Sequence, residues 1–288
     1  MTEIRILQPG DEAALEEFLV PRIESSMFLL GNLRAVGLAD RGRLFEGTYA
    51  AAFETRKIVA VVAHYWNGNL VFQAPDHVAA LGRAAAEASG RAIQGLLGPQ
   101  AQVSAAKKAL SLEVDRIMLD ETEYLYSLAL TDLVMPEALR LGQLRGRRIE
   151  RRDLDLVTRW RVGFSVEALG EEPGARLWER CRASAERSLE QGRTWILEEG
   201  GEPVATSSFN ATTAEAVQVG GVWTPPEIRG RGYGRAVVAV SLLDARAEGV
   251  TTSILFTGVS NVPAQRAYVA LGFRHIGDYR LLLLHPPS

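Results

Sequence analysis

The chain has 288 residues, 47% of them hydrophobic, which is enough to bury the cores of two ordinary domains. A formal net charge of -3 leaves no overall positive field for nucleic acid or an anionic membrane surface, so any anion site has to be local. Cys181 is the only cysteine, which excludes an internal disulfide framework, and His64, His77, His275 and His285 lack ligand spacing, so no metal site is expected.

The acidic start, MTEIRILQPGDEAALEEF, is unlike a secretory signal, which would be basic and then apolar, and no apolar run reaches the length of a membrane span. A cytoplasmic protein with no membrane partner is expected. Residues 3–20 read as a short strand, EIRILQ, a turn and an amphipathic helix, DEAALEEFLV. SSMFLLGNLR, residues 25–34, reads as a helix used for core packing, with a part in setting the acceptor as the alternative. GTYAAAFETRKIVAVVAHYWNGNLVFQA then gives two or three antiparallel strands with a turn at NGN. Helix, strand and helix follow in DHVAALGRAAAEASG, RAIQGLL and AQVSAAKKAL, and VMPEALRLGQLRG, residues 134–146, reads as a linker. The pattern then starts again. Residues 147–169 give a strand, RRIERRD, and a helix; RTWILEEGGEPVATSSFNATTAEAVQVGGVW gives strands; GRAVVAVSLLDARAEG, TTSILFT and VPAQRAYVAL repeat helix, strand and helix. One order of elements used twice predicts an internal duplication of a mixed α/β unit, with domains at 1–134 and 147–288.

The second copy alone carries a stretch suited to chemistry. Val217, Val219 and Val222 form an apolar strand that stops at Pro225-Pro226, because proline cannot continue a ladder. Ala236, Val240, Leu243 and Ala247 recur at helical spacing, and Gly249 supplies the stop. Between them, TPPEIRGRGYGRAV puts Gly230, Gly232 and Gly234 at a helix N-terminus. Unpaired N–H groups and the helix dipole favour an anion there, and the missing side chains let a phosphate reach the backbone. Arg229, Arg231 and Arg235 add charge-assisted donors. A P-loop would need a lysine, and a dinucleotide fingerprint would need a third glycine where Arg235 stands, so neither fits.

RGRGYG has the form Arg-x-x-Gly-x-Gly. With VGGVWTPPE before it and SNVPAQRAYVALGF after it, it resembles the GNAT superfamily of N-acetyltransferases over roughly residues 217–280. The resemblance implies an α/β (α+β) fold of two tandem GNAT-like domains, each a mixed, mostly antiparallel twisted sheet flanked by helices. In the first copy APDHVAALGRAAA keeps Gly82 and Arg83 but has Ala79 and Ala80 where loop residues belong, as in a degenerate copy.

The same resemblance implies acetyl-CoA as co-substrate. Its pyrophosphate would take the amides from Gly230 through Arg231, Gly232, Tyr233 and Gly234 to Arg235, with the Arg229 side chain completing the clamp. Its pantetheine would run along the strand edge at Val222, Trp223 and Thr224, although the Trp223 ring itself reads as core packing. Asn261 belongs to the same cofactor-binding set and can cap the next helix, whose first turn holds Pro263. Transfer needs a neutral amine, a stabilised oxyanion and an acid for the departing thiolate. Tyr268, on one helix face with Ala264 and Leu271, is the candidate acid; the corresponding residue of the first copy is Lys107, which predicts activity in one half only. No base is assigned: Glu215 lies far from the loop, Gln218 is no proton acceptor, and a water relay near Ser260 is the remaining route. The expected function is acetyl transfer from acetyl-CoA to a primary amine, small-molecule or peptide, by direct attack in a ternary complex. The alternative is a non-catalytic acyl-CoA-binding or interaction protein.

Overall fold

Side chains alternate along the strand Gly47–Glu54: Tyr49, Ala51 and Phe53 enter one apolar core, Ala50 and Ala52 another. A strand buried on both faces belongs in the interior of a sheet with helices above and below. The computed structural model, which describes residues 2–110, 112 and 114–285, has that layering. Its first elements are β1 (Glu3–Ile6), α1 (Glu12–Leu19), α2 (Ile23–Val36), β2 (Gly47–Glu54), β3 (Lys57–Tyr65), β4 (Asn69–Gln73), α3 (Val78–Ser89), β5 (Gly95–Pro99), α4 (Gln100–Ala109) and β6 (Ile117–Ala129). After α5 (Glu137–Arg140) come β7 (Leu144–Arg148), α6 (Leu154–Leu169), α7 (Ala175–Glu190), β8 (Thr194–Glu199), β9 (Glu202–Thr212), β10 (Ala216–Trp223), α8 (Tyr233–Ala247), β11 (Thr252–Gly258), α9 (Val262–Val269) and β12 (Arg274–Leu284). No helix among the described residues is long and apolar enough to cross a membrane.

The chain divides into two compact units, Met1–Leu125 with Ile276–Ser288, and Tyr126–His275. In the first, the strand order is β1-β2-β3-β4-β5-β12, antiparallel throughout except for the parallel pair β4–β5. Leu15, Leu19, Leu29 and Leu30 of α1 and α2 cover one face; Leu81, Ala85, Val103 and Ala106 of α3 and α4 cover the other. Alanines at 50, 52 and 60 let α3 lie close to β2 and β3.

This partition differs from a division at residues 134–146. Tyr279–Leu283 of β12 pair with Gly95–Pro99, and Leu282 and Leu284 join the core formed by α3 and α4. Segment 134–146 instead contains α5 and the start of β7. An apolar run such as LLLL completes any sheet with a free edge, so its periodicity does not say which sheet it joins.

In the second unit β7-β8-β9-β10-β11 are neighbours in that order, with the end of β6 beyond β11. Pairing is antiparallel up to β10, and β10–β11 is parallel, the same pattern as β1 to β5. Val157, Trp160, Ala185 and Ile196 form a core under α6 and α7, while α8 lies against β8, β9 and β10. The strand expected at RRIERRD is β7, three residues further toward the N-terminus in its start. It ends because Asp153 is needed as a cap: its Oδ2 accepts from the Glu150 amide at 2.7 Å and from Arg147 Nη1 at 2.6 Å. In each unit the strands are thus mixed and mostly antiparallel, with helices on their faces.

Candidate active site

The register of β10 with β11 runs from Ala216↔Thr252 to Val219↔Leu255 and goes no further, although β10 continues to Trp223 and β11 to Gly258. Opposite β9, the ladder is irregular between Gly220 and Trp223. Gly221 has φ +59°, and a side chain on Gly220 would collide with the Asn210 carboxamide. A Gly-Gly bulge therefore turns β10 away from its parallel neighbour, leaving the strand edge after Val219 without a ladder partner on that side.

Beyond Trp223, the prolines terminate the strand and a short 3-10 turn at Pro226–Ile228 leads into the glycine loop. Gly230 and Gly232 both have φ +82°, and Gly232 caps α8 without a side-chain bond. A Cβ at Gly230 would meet nothing within 4 Å, so these glycines serve a backbone shape with open space in front of it. Among the described residues, none accepts a hydrogen bond from the amides of Gly230, Arg231, Gly232, Tyr233, Gly234 or Arg235; the first helical bond of this end is Ala236 N to Gly232 O, at 3.0 Å. Unspent N–H groups at the start of a 15-residue helix can receive an anion.

The three arginines divide their work. Arg229 is engaged within the protein: Nη1 and Nη2 donate to Glu167 on α6, Nε donates to Thr224 O, and the guanidinium stacks on the Trp223 ring. It fastens the mouth of the loop, so its side chain is not poised as the phosphate clamp expected from sequence. Arg235 has an Nη2 3.8 Å from the Cβ position of Gly232, beside the free amides, and its buried Nε has no partner among the described residues. Arg231 is exposed at the loop tip.

Tyr233 contributes its amide to the loop and its side chain to the core, where Oη donates to Glu199 Oε2 at 2.5 Å. Trp223 packs with Val157, Trp160 and Ile196, as its sequence reading predicts. The side chains of Val222 and Thr224 flank Gly234, 3.9 and 3.8 Å from its Cβ position, so strand end and helix start meet. Asn261 caps α9, Oδ1 accepting from the Ala264 amide at 3.2 Å. Tyr268 is buried on α9, edge-on to Phe273, and α9 packs on α8. Glu215 lies just before β10, at the end away from the loop, where its carbonyl accepts from Thr251 and Thr252; Gln218 is buried in the paired stretch. No cluster of His, Cys, Asp and Glu among the described residues is arranged to hold a metal. A hollow lined by Arg148, Trp195, Val240 and Asp244 lies over β7 and α8, away from the loop.

The matching turn in the first unit lacks the glycines and the open strand edge. His77 with φ +59° precedes α3 in place of a glycine, the Ala74 amide is taken by Gln102 Oε1 at 2.7 Å, and Gly98 lies against Phe72 where a gap between β4 and β5 would open. Lys107 is paired with Asp120 at 2.6 Å.

Residues 156–273 match a family model described as Acetyltransferase (GNAT) family. Among curated protein sequences, none matches this chain. Among solved structures the chain is similar to a Drosophila protein, with a TM-score of 0.71 and 17% identity over 99% of each chain. It is similar to a GCN5-related N-acetyltransferase from Sphaerobacter thermophilus, with a TM-score of 0.60 and 16% identity over 100% of this chain and 96% of that one. A tandem GNAT protein from the clavulanic acid biosynthesis pathway gives a TM-score of 0.56 at 14% identity, over 100% of both chains. At such identities the likeness is one of fold.

Proposed function

We propose that this chain, whose residues 156–273 match the acetyltransferase (GNAT) family model, moves an acetyl group from acetyl-CoA to a primary amine by direct attack in a ternary complex. The run of unpartnered amides from Gly230 to Arg235, on glycines with positive φ at the start of α8, is the observation that carries this reading. When bound, acetyl-CoA supplies the acetyl group as a thioester open to attack by a neutral amine.

The chain's own residues divide the remaining work. The loop amides bind the pyrophosphate, with Arg235 and Arg231 adding charge, and Arg229 holds the loop in shape through Glu167. The unladdered edge at Val222 to Thr224 orients the pantetheine arm by strand-like pairing, and a backbone N–H there polarises the carbonyl. Tyr268 Oη gives the proton that the departing sulfur needs. Only the second unit acts in this scheme, because the first has no glycine loop before α3, spends its strand-end amide at Ala74 on Gln102 and pairs Lys107 with Asp120.

Free thiol released from acetyl-CoA across a panel of small and peptide amines tests the proposal, alongside the rise in Tm produced by CoA. Amine-dependent release, lost together with the CoA effect in Gly232→Asp, is the expected result. Stabilisation by CoA with no amine-dependent thiol leaves an acyl-CoA-binding protein instead. An unchanged CoA effect in the glycine variant removes the loop from the reading.

A further inference from the structure

Arg161, on α6, sets its guanidinium among hydroxyl groups instead of carboxylates. Nη1 donates to Ser184 Oγ at 2.9 Å, and Nη2 lies 3.0 Å from Ser188 Oγ and 3.1 Å from both Thr194 Oγ1 and Ser208 Oγ. Nε is buried and donates to no described residue. Desolvation lowers the guanidinium's pKa from its ordinary value, and the charges acting on it come from Cys181 and the like-charged Arg187, with no Asp or Glu among them. Cys181 provides no anion, since burial raises its thiol pKa.

Two other half-buried arginines of this protein are paired with carboxylates. Arg147 has Asp153 and Glu198, at 2.6 and 2.8 Å, and Arg280 has Asp120 at 2.7 Å. A cation withdrawn from water and met only by neutral dipoles costs more than its hydrogen bonds return, unless an anion completes the set. Nη2 has two hydrogens for three nearby oxygens, and Thr194 and Ser208 already share a bond at 2.9 Å. These hydroxyls can rotate and turn their own O–H groups toward an arriving acceptor.

The location connects this cluster with the break in β10. Ser208 is the register partner of Gly220, and its Cβ and Oγ lie 3.8 Å from the Cβ position of Gly221. On the same side α6 presses against β10, where a Cβ on Gly163 would come within 2.8 Å of the Trp223 ring. The guanidinium therefore stands one side chain away from the bulge that turns β10 from β11.

We propose that Arg161, with Ser184, Ser188, Thr194 and Ser208, is a carboxylate subsite for the acceptor, which makes the acceptor an amine that carries a carboxylate, an amino acid in the simplest case. The assignment to an acceptor rests on the acetyl-transfer reading. One planar guanidinium among neutral hydroxyls suits a monoanion of carboxylate shape, which it can grip with two parallel bonds through Nε and Nη2.

The test uses the intact protein with N-acetyl amino acids as product-like probes, their carboxamides, and inorganic phosphate, read first as thermal shifts. At least one N-acetyl amino acid should raise Tm by a few degrees while its carboxamide does not. Arg161→Gln should lose that response and Arg161→Lys should keep part of it, both with the CoA response unchanged. In turnover, kcat/KM for an amino acid over its amide should be about 100-fold and fall to about 1 in Arg161→Gln. Ser208→Ala, which leaves the guanidinium in place, should weaken the carboxylate response severalfold and serves where Arg161→Gln does not fold. Equal effects of carboxylate and carboxamide, a parent-like response in Arg161→Gln, or stabilisation by phosphate alone would each overturn the subsite. Failure of the acetyl-transfer reading shows separately: the carboxylate response stays, and amine-dependent thiol release is absent.

Discussion

Arg229 holds Glu167 with both arms of its guanidinium, Nη1 to Oε1 at 2.7 Å and Nη2 to Oε2 at 2.9 Å, joining the last turns of α6 to the entrance of the glycine loop. The pair is well exposed, so its worth to folding is roughly 0.2–1 kcal/mol. Its larger effect is on the shape of the loop. Arg229→Ala and Glu167→Ala should therefore weaken CoA binding by similar factors, about 3- to 10-fold, and the double variant should lose little more than either one. Titration calorimetry with CoA checks this. A loss confined to Arg229→Ala would mean that the guanidinium leaves Glu167 and touches phosphate.

Gly232 and Gly230 fix the loop through backbone alone. At φ +82° an L-residue is strained by about 1–2 kcal/mol, so Gly230→Ala and Gly232→Ala should each lower stability by that amount. Among the described residues, no atom is near enough to Gly230 for a clash to contribute. CoA affinity should fall further than stability, because the added methyl faces the space a phosphate must enter, and Gly232→Asp adds like-charge repulsion. Chemical denaturation compared with CoA titration separates the two effects; equal losses in both would reduce the loop to a structural turn.

Tyr268→Phe removes one oxygen and keeps the ring against Phe273. As general acid, Tyr268 should give a drop of about 100-fold in kcat with CoA affinity unchanged. Parent-like turnover would return Tyr268 to the core-packing role that its burial alone suggests.

The loop and its helix were legible because their signals are local: prolines that stop a strand, glycines that permit positive φ, and helical spacing from Ala236 to Ala247. Asn261 as a cap was readable for the same reason. What escaped depends on distant partners. Arg229 looks like a phosphate ligand until Glu167, 62 positions earlier, is brought to it by the crossing of α6 over β10. Arg161 is an ordinary helix arginine in sequence, and only the convergence of α7, β8 and β9 reveals that it has hydroxyls and no carboxylate for company. Gly220 and Gly221 did carry a signal, since paired glycines inside an apolar strand mark a bulge. The last strand shows the limit of periodicity: RLLLLH announces a buried strand and nothing about its neighbour.

Leu282 tests that neighbour. It is fully buried in the core made by α3, α4, β4 and β5, although it lies near the other end of the chain. Leu282→Ala should cost about 2–5 kcal/mol, and the loss should fall on the first unit. Hydrogen exchange should show β4 and β5 opening more readily while α8 and the CoA response are preserved. Opening concentrated in α8 and β11 would place the strand in the second unit.

Glu123 on β6 gives the fold a dependence on pH. Burial first, and the like charge of Glu121 second, push its carboxyl up from 4.5 to about 7. The folded state therefore takes up a proton at pH values where the unfolded chain has released it. The associated stability is complete below about 4.5 and is lost as pH rises toward and through 7, a span worth about 3 kcal/mol. Glu123→Gln mimics the protonated form and should flatten this slope, gaining most relative to the parent at pH 8 and least at pH 4. Denaturant midpoints measured across that range decide the matter, because a parent-like slope in the glutamine variant would mean that another group carries the titration.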